Sequence, residues 1–121
     1  MESYRAIALQ TKCFAVNKAQ NRAEASQIMK ATIERIGRQI AASIAFVGSD
    51  VKLVVLPEYF LTSFPLGESI EGWLEKACLD EDGEEYKLLG EIAKKHKIYL
   101  SGNAYEDDNH FPGIYFQTSF I

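Results

Sequence analysis

The sequence predicts an α/β fold in which a mixed sheet carries helices on one face. A short alternating stretch, a long helical stretch and a strongly apolar run follow one another at residues 4–10, 21–47 and 53–56. Strand, helix and strand in this order predict two parallel neighbours in one sheet. A second helical stretch at 84–96 precedes two further strands at 98–105 and 114–121, and the turn-rich link 106–113 between them predicts a hairpin.

Length and composition limit the chain to one domain and exclude several classes of function. The 121 residues have room for one modest core, and the hydrophobic share of 47% is ordinary for a globular chain. The net charge of -4 argues against a nucleic-acid partner, and no apolar stretch approaches the roughly 20 residues of a membrane span. Two cysteines do not make a disulfide framework, which predicts a reducing, cytoplasmic location.

Residues 4–10 are predicted to form the first strand because their side chains alternate in size. Ile7 and Leu9 point to one side, and Ala6 and Ala8 point to the other. Cys13 follows the strand and has two interpretations, a nucleophile or a small apolar residue of the core. The second is favoured because no His stands near Cys13 in the sequence.

Residues 21–47 give the strongest helical pattern of the chain. Apolar residues recur at steps of three and four and form a single stripe: Ala25, Ile28, Met29, Ile33, Ile36, Ile40, Ile44 and Val47. Asn21 and Glu24 predict a capping box at the start of the helix. Gly48 is predicted to end it in the αL conformation.

Glu58 follows the apolar run 53–56. That run is typical of a central strand covered on both faces, although so short a run also fits a buried helix segment. Pro57 has no backbone N–H and ends the pairing. Glu58 therefore stands at the carboxyl end of a strand, where open α/β sheets bind ligands, and its aromatic neighbours predict apolar surroundings. It is interpreted as a general base, or else as a surface carboxylate or one paired with Lys or Arg.

The stretch after Glu58 combines an irregular aromatic loop with two helices. Residues 59–67 either line a small-substrate pocket or place Phe60 and Leu61 in the core, and both interpretations stay open. A short helix is predicted at 69–79. The acidic run 80–85 is interpreted as the solvated start of the helix 84–96, because negative charge is favourable at a helix N-terminus.

Residues 53–60, Leu-Val-Val-Leu-Pro-Glu-Tyr-Phe, resemble the first catalytic motif of the nitrilase superfamily, the carbon–nitrogen hydrolases. In that family the Glu after the Pro is the general base of a Glu-Lys-Cys triad, so the resemblance assigns the base to Glu58. It also implies that Tyr59, in the loop that shapes the family's pocket, contacts substrate. Residues 114–121 look like a strand that often carries Tyr-Asn-Thr, with Gln117 here in place of the Asn.

The resemblance implies half of an αββα sandwich, so residues 1–121 are expected to form an incomplete, amino-terminal segment of a carbon–nitrogen hydrolase domain. The family's Lys and Cys follow the last strand seen here and have no matching positions, which predicts a truncated product or a fragment. The implied reaction is acyl transfer on the non-peptide C–N bond of a small amide or nitrile, without cofactor or metal.

Two functions stay open, together with a third that the sequence disfavours. The chain is an enzyme segment whose activity needs the missing part, in cis or from another chain. Alternatively, it is an inactive pseudoenzyme or binding half-domain that pairs its open sheet with a full-length relative or forms a homo-oligomer. A small doubly wound binding domain is disfavoured, because no Gly-rich phosphate loop follows the first strand.

Overall fold

The computed structural model describes residues 3–121 and confirms the predicted α/β class. The described part contains four strands and three helices: β1 (Arg5–Ala8), α1 (Arg22–Val47), β2 (Val51–Val55), α2 (Ile70–Ala77), α3 (Glu84–His96), β3 (Tyr99–Asp107) and β4 (Tyr115–Phe120). Within residues 3–121, none of these helices combines the length and apolar character that crossing a membrane requires.

The strands form one mixed sheet in the order β1-β2-β3-β4. The first three strands are parallel, so that Val54 of β2 lies between Ile7 of β1 and Leu100 of β3. Strand β4 runs antiparallel to β3 and places Gln117 opposite Tyr105. The predicted parallel neighbours and the predicted hairpin are both confirmed.

The ends of α1 differ in detail from the predicted caps. The Asn21 side chain accepts a hydrogen bond from the Glu24 N–H at 3.0 Å, as a capping box requires. Glu24 Oε2, however, accepts from the Gln20 N–H at 2.8 Å, one residue before the cap. Gly48 ends the helix with a φ of 131°, which favours glycine, but its ψ of 163° is not the predicted αL geometry.

The core lies between one face of the sheet and helices α1 and α3. The apolar stripe of α1 supplies Ile33 and Ile36, both fully buried, and α3 adds Leu89. From the sheet, Val54 and Leu100 point into this core, in register with each other. The loop after β2 contributes Phe60 and Leu61, which are also fully buried, so the core interpretation of these two residues is confirmed.

The opposite face of the sheet is open over β1, β2 and the start of β3. It carries the alternate residues of the first three strands, here called the open face: Ala6, Ala8, Leu53, Val55 and Tyr99. Tyr99 is 69% exposed and Val55 is 39% exposed. The prediction that β2 is covered on both faces is therefore wrong for Val55, since no helix covers it on the open face.

One residue of the acidic run 80–85 is buried, contrary to the prediction. Glu85 is buried, whereas solvated carboxylates are predicted throughout residues 80–85. Its Oε1 accepts a hydrogen bond from Ser26 Oγ at 2.7 Å and lies 3.3 Å from Arg22 Nη2. Arg22 Nη1 also donates to the carbonyl oxygen of Cys78 at 2.7 Å. Arg22 thus joins the first turn of α1 to the first turn of α3 and to the end of α2.

Candidate active site

Glu58 stands just beyond the carboxyl end of β2, where the strand leaves the sheet. The Leu56 N–H still donates to the carbonyl oxygen of Ser101 on β3 at 2.8 Å. Pro57 has no N–H to continue the ladder. The chain then turns through residues 58–62, and the Ser63 N–H donates to the Tyr59 carbonyl oxygen at 3.2 Å to close the turn. The end of a paired strand and a closed turn therefore place the carboxylate.

The Glu58 carboxylate is exposed and is held through one oxygen. Gln117 Nε2 donates to its Oε1 at 2.9 Å, and no Lys or Arg in residues 3–121 forms an ion pair with it. The predicted apolar surroundings are wrong, because the aromatic residues after Glu58 turn away from it into the core or onto Tyr105. An exposed carboxylate with one amide donor keeps its second oxygen free to accept a proton.

Tyr59 occupies a backbone conformation that few non-glycine residues adopt. Its φ is 55°, and its N–H donates to Asn103 Oδ1 at 3.0 Å. A left-handed residue costs about 1–2 kcal/mol, and such residues cluster at functional sites. Its ring stacks on Tyr105 at a centroid distance of 5.9 Å and meets Phe64 at 5.3 Å. Tyr59 therefore lies in an aromatic group directly beside Glu58.

The aromatic loop 59–67 is fixed at its far end by Glu68. Glu68 Oε2 accepts from the Leu66 N–H at 2.6 Å, and Oε1 accepts from Asn17 Nδ2 at 3.0 Å. Asn17 Nδ2 also donates to the Phe64 carbonyl oxygen at 3.0 Å, and Lys76 Nζ lies 3.7 Å from Glu68 Oε1. These contacts, the Leu66 N–H foremost, lower the pKa of the Glu68 carboxyl. The loop beside Glu58 thus has a defined shape.

Comparison with known protein families identifies the chain. Residues 6–121 match the carbon-nitrogen hydrolase family. The chain belongs to this family. A search of curated proteins gives no match. The family match confirms the resemblance carried by residues 53–60, and the matched segment includes Glu58, Tyr59, Asn103 and Gln117.

Neither cysteine of this carbon–nitrogen hydrolase family member is prepared to act as a nucleophile. Burial raises the pKa of the half-buried Cys13 thiol. Cys78 is buried, and burial, with a smaller effect from Asp107, raises its pKa to about 12. Because the thiolate is the reactive form, a raised pKa makes a thiol less reactive at neutral pH. Cys13 thus fits the interpretation of a small apolar residue better than that of a nucleophile, and Cys78 is a residue of the core.

The site also contains two residues whose part the sequence did not predict. The sequence gives no sign of a role for Asn103, and Gln117 stands out only as a departure from the family's strand pattern. Both lie on the β3–β4 hairpin, far from Glu58 in sequence, and the strand register brings them to it. No local signal in the sequence links these two amides to Glu58, because the contacts depend on strand order and hairpin register.

Proposed function

We propose that this chain provides the general base, Glu58, of a carbon–nitrogen hydrolase that acts on a small amide or nitrile. The observation that supports this most directly is the Glu58 carboxylate, exposed beyond β2, with one oxygen held by Gln117 and the other free. A residue placed in this way can accept and return a proton. The Lys and the Cys of the triad come from outside residues 1–121, in cis or from a second chain.

For an amide substrate the proposed steps balance as an acyl transfer. Glu58 takes the proton of the Cys thiol as the sulfur attacks the carbonyl carbon, and the Lys stabilises the negative charge that develops on the oxygen. The C–N bond breaks, and Glu58 gives the proton to the leaving amine. Water then attacks the thioester and passes a proton to Glu58, which returns it to the sulfur as the acid leaves. Tyr59 borders the substrate in this arrangement.

The cytoplasm is the proposed location of this reaction. Cys13 and Cys78 are both free in the described structure. Free thiols persist in a reducing compartment, where a catalytic thiol also stays reduced.

Replacing Glu58 by Gln in the natural protein is expected to lower kcat/KM by at least about a hundredfold. This is the smaller end of what a general base contributes. The change keeps the size of the side chain and removes its basicity. Ammonia or amine release from a panel of small amides and nitriles measures the rate. Glu75→Gln, on the exposed side of α2, is the matched control and should leave turnover unchanged.

Residues 1–121 alone are expected to show no turnover, because neither of their cysteines is activated. Turnover by residues 1–121 that persists in Glu58→Gln would contradict the proposed base. The intact mass of the natural protein decides between the two functions that the sequence leaves open. A mass near 13.6 kDa without turnover would favour a binding role over hydrolysis.

The open face supports that binding role as a second candidate function. Tyr99, Val55 and Leu53 form an apolar surface that no helix covers in the described residues. Contiguous exposed apolar surface marks interaction sites. The proposed occupant is the sheet of a second copy of the chain, or that of a full-length relative.

Tyr99→Lys is expected to disrupt such pairing, because it places a charge on the open face. Light scattering of residues 1–121 should give a mass above 13.6 kDa that returns to the monomer value in the variant. Phe46→Lys is the control, since Phe46 is 93% exposed but lies on α1, away from the open face. A wild-type chain that stays monomeric, alone and with a full-length relative, would refute the pairing.

A further inference from the structure

We infer that Asn103 and Gln117 act together as an amide clamp that positions Glu58. The clamp consists of the Asn103 side chain on β3 and the Gln117 side chain on β4. Each holds one of two consecutive residues, Gln117 the side chain of Glu58 and Asn103 the backbone of Tyr59. The inference rests on the proposed role of Glu58 as the base, because positioning matters only for a residue that reacts.

Gln117 holds one oxygen of the Glu58 carboxylate and leaves the other oxygen free. Its Nε2 donates to Oε1 at 2.9 Å, and this hydrogen bond restrains the position of the Glu58 side chain. Strand β3 lies between β2 and β4, and Gln117 sits opposite Tyr105 in the hairpin register. The Gln117 side chain therefore contacts the turn that follows β2. The carboxylate is held from a strand that does not pair with its own.

Asn103 fixes the backbone that carries Glu58. Its Oδ1 accepts from the Tyr59 N–H at 3.0 Å, at a residue whose φ of 55° is unfavourable for a side chain with a Cβ. Asn103 and Tyr105 lie two residues apart on β3 and so share one face of the strand. The same face that binds the Tyr59 N–H through Asn103 stacks the Tyr59 ring on Tyr105. Strand β3 thus holds both the backbone N–H and the ring of Tyr59.

The two contacts make the β3–β4 hairpin, rather than β2 itself, the element that orients the base. Both amides come from paired positions of one hairpin, in which Asn103 lies opposite Ser119 and Tyr105 lies opposite Gln117. A shift of the hairpin by one residue would turn both side chains to the other face. Asn103 and Gln117 are therefore positioning residues, and neither needs to contact substrate.

The first test follows the side-chain amide of Gln117 by NMR in residues 1–121. Its two N–H signals are expected to move as acid protonates Glu58, because protonation changes the acceptor that Gln117 contacts. This movement should vanish in Glu58→Gln, and the exposed Gln10 amide is the internal control that should not move. In Gln117→Asn the shorter side chain should lose the contact, and its amide signals should no longer follow the titration.

The second test measures hydrogen exchange at the Tyr59 N–H. Loss of one hydrogen bond, worth about 1 kcal/mol, corresponds to roughly fivefold faster exchange, which is the effect expected in Asn103→Leu. Asn103→Asp keeps an acceptor oxygen at the same position and should retain the protection. Leu and Asp are both close to Asn in size, so the two variants differ mainly in the acceptor.

The results of the two tests distinguish a failure of the amide clamp from a failure of the proposed function. Gln117 signals that ignore the protonation of Glu58, together with unchanged Tyr59 exchange in Asn103→Leu, would overturn the clamp whatever the enzyme activity. If both signatures behave as expected while the Glu58→Gln enzyme keeps full turnover, the contacts exist but position no base, and the inference falls with the proposed function. If both signatures hold and Glu58→Gln loses activity, the clamp is supported.

Discussion

Replacing Arg22 by Met is expected to lower the free energy of unfolding by about 3 kcal/mol, because it leaves the Glu85 carboxylate buried without its cation. The Glu85 side chain is only 4% exposed, and Ser26 Oγ would remain its single hydrogen-bond partner within residues 3–121. The substitution also removes the donor to the Cys78 carbonyl oxygen. The expected loss is at the lower end for a buried pair because Arg22 itself stays 35% exposed. Urea unfolding followed by circular dichroism measures it.

Lys30→Met is the matched control for this prediction. Lys30 also lies on α1 and its side chain is also 35% exposed, but its partner Glu84 is 67% exposed. An exposed pair contributes at most about 1 kcal/mol, so this control should be nearly neutral. Adding Glu85→Met to Arg22→Met removes the buried charge and should restore most of the lost stability. Equal costs for Arg22→Met and Lys30→Met would refute the argument.

The burial of Glu85 is a feature that the sequence alone could not predict. The helix α3 was predictable from its period, and its acidic first turn was a correct start signal. Within the run 80–85, however, nothing local distinguishes the one carboxylate that is buried. That choice depends on Arg22 and Ser26, which approach from α1 when the two helices pack. Periodicity reports which face of a helix is apolar, but it does not report which polar residue finds a partner.

In the candidate site, too, the features set by a local motif were predictable and those set by tertiary packing were not. Glu58 and its position after a strand followed from a local motif, in which Pro57 ends the ladder and the carboxylate comes next. Its exposure did not follow, because the direction of Tyr59 and Phe60 depends on the turn 58–62 and on the core beneath it. Asn103 and Gln117 are joined to Glu58 only through strand order and hairpin register. Residues brought together by a sheet carry no shared pattern in the chain.

Replacing Trp73 by Ala is expected to lower the free energy of unfolding by about 4 kcal/mol, the cost of removing a fully buried large aromatic side chain. Trp73 is the main anchor of α2, whose eight residues are too few to stay helical without packing. Its ring meets Tyr105 edge to face at a centroid distance of 5.6 Å. Because Tyr59 stacks on Tyr105, the cavity should also loosen the turn beside Glu58 and speed exchange of the Tyr59 N–H.

Two further substitutions test whether the burial of Trp73 causes the expected loss of stability. Leu74→Ala, at the half-buried next position of α2, should cost about 1 kcal/mol, well below the fully buried range. Trp73→Phe should cost less than Trp73→Ala, because Phe keeps an aromatic ring against Tyr105. It also removes the Trp73 Nε1–H, which is buried without a hydrogen-bond partner in residues 3–121 and opposes folding. Urea unfolding of the three variants gives the order. If Trp73→Ala and Leu74→Ala cost the same, Trp73 does not anchor α2, and its coupling to Tyr59 fails with it.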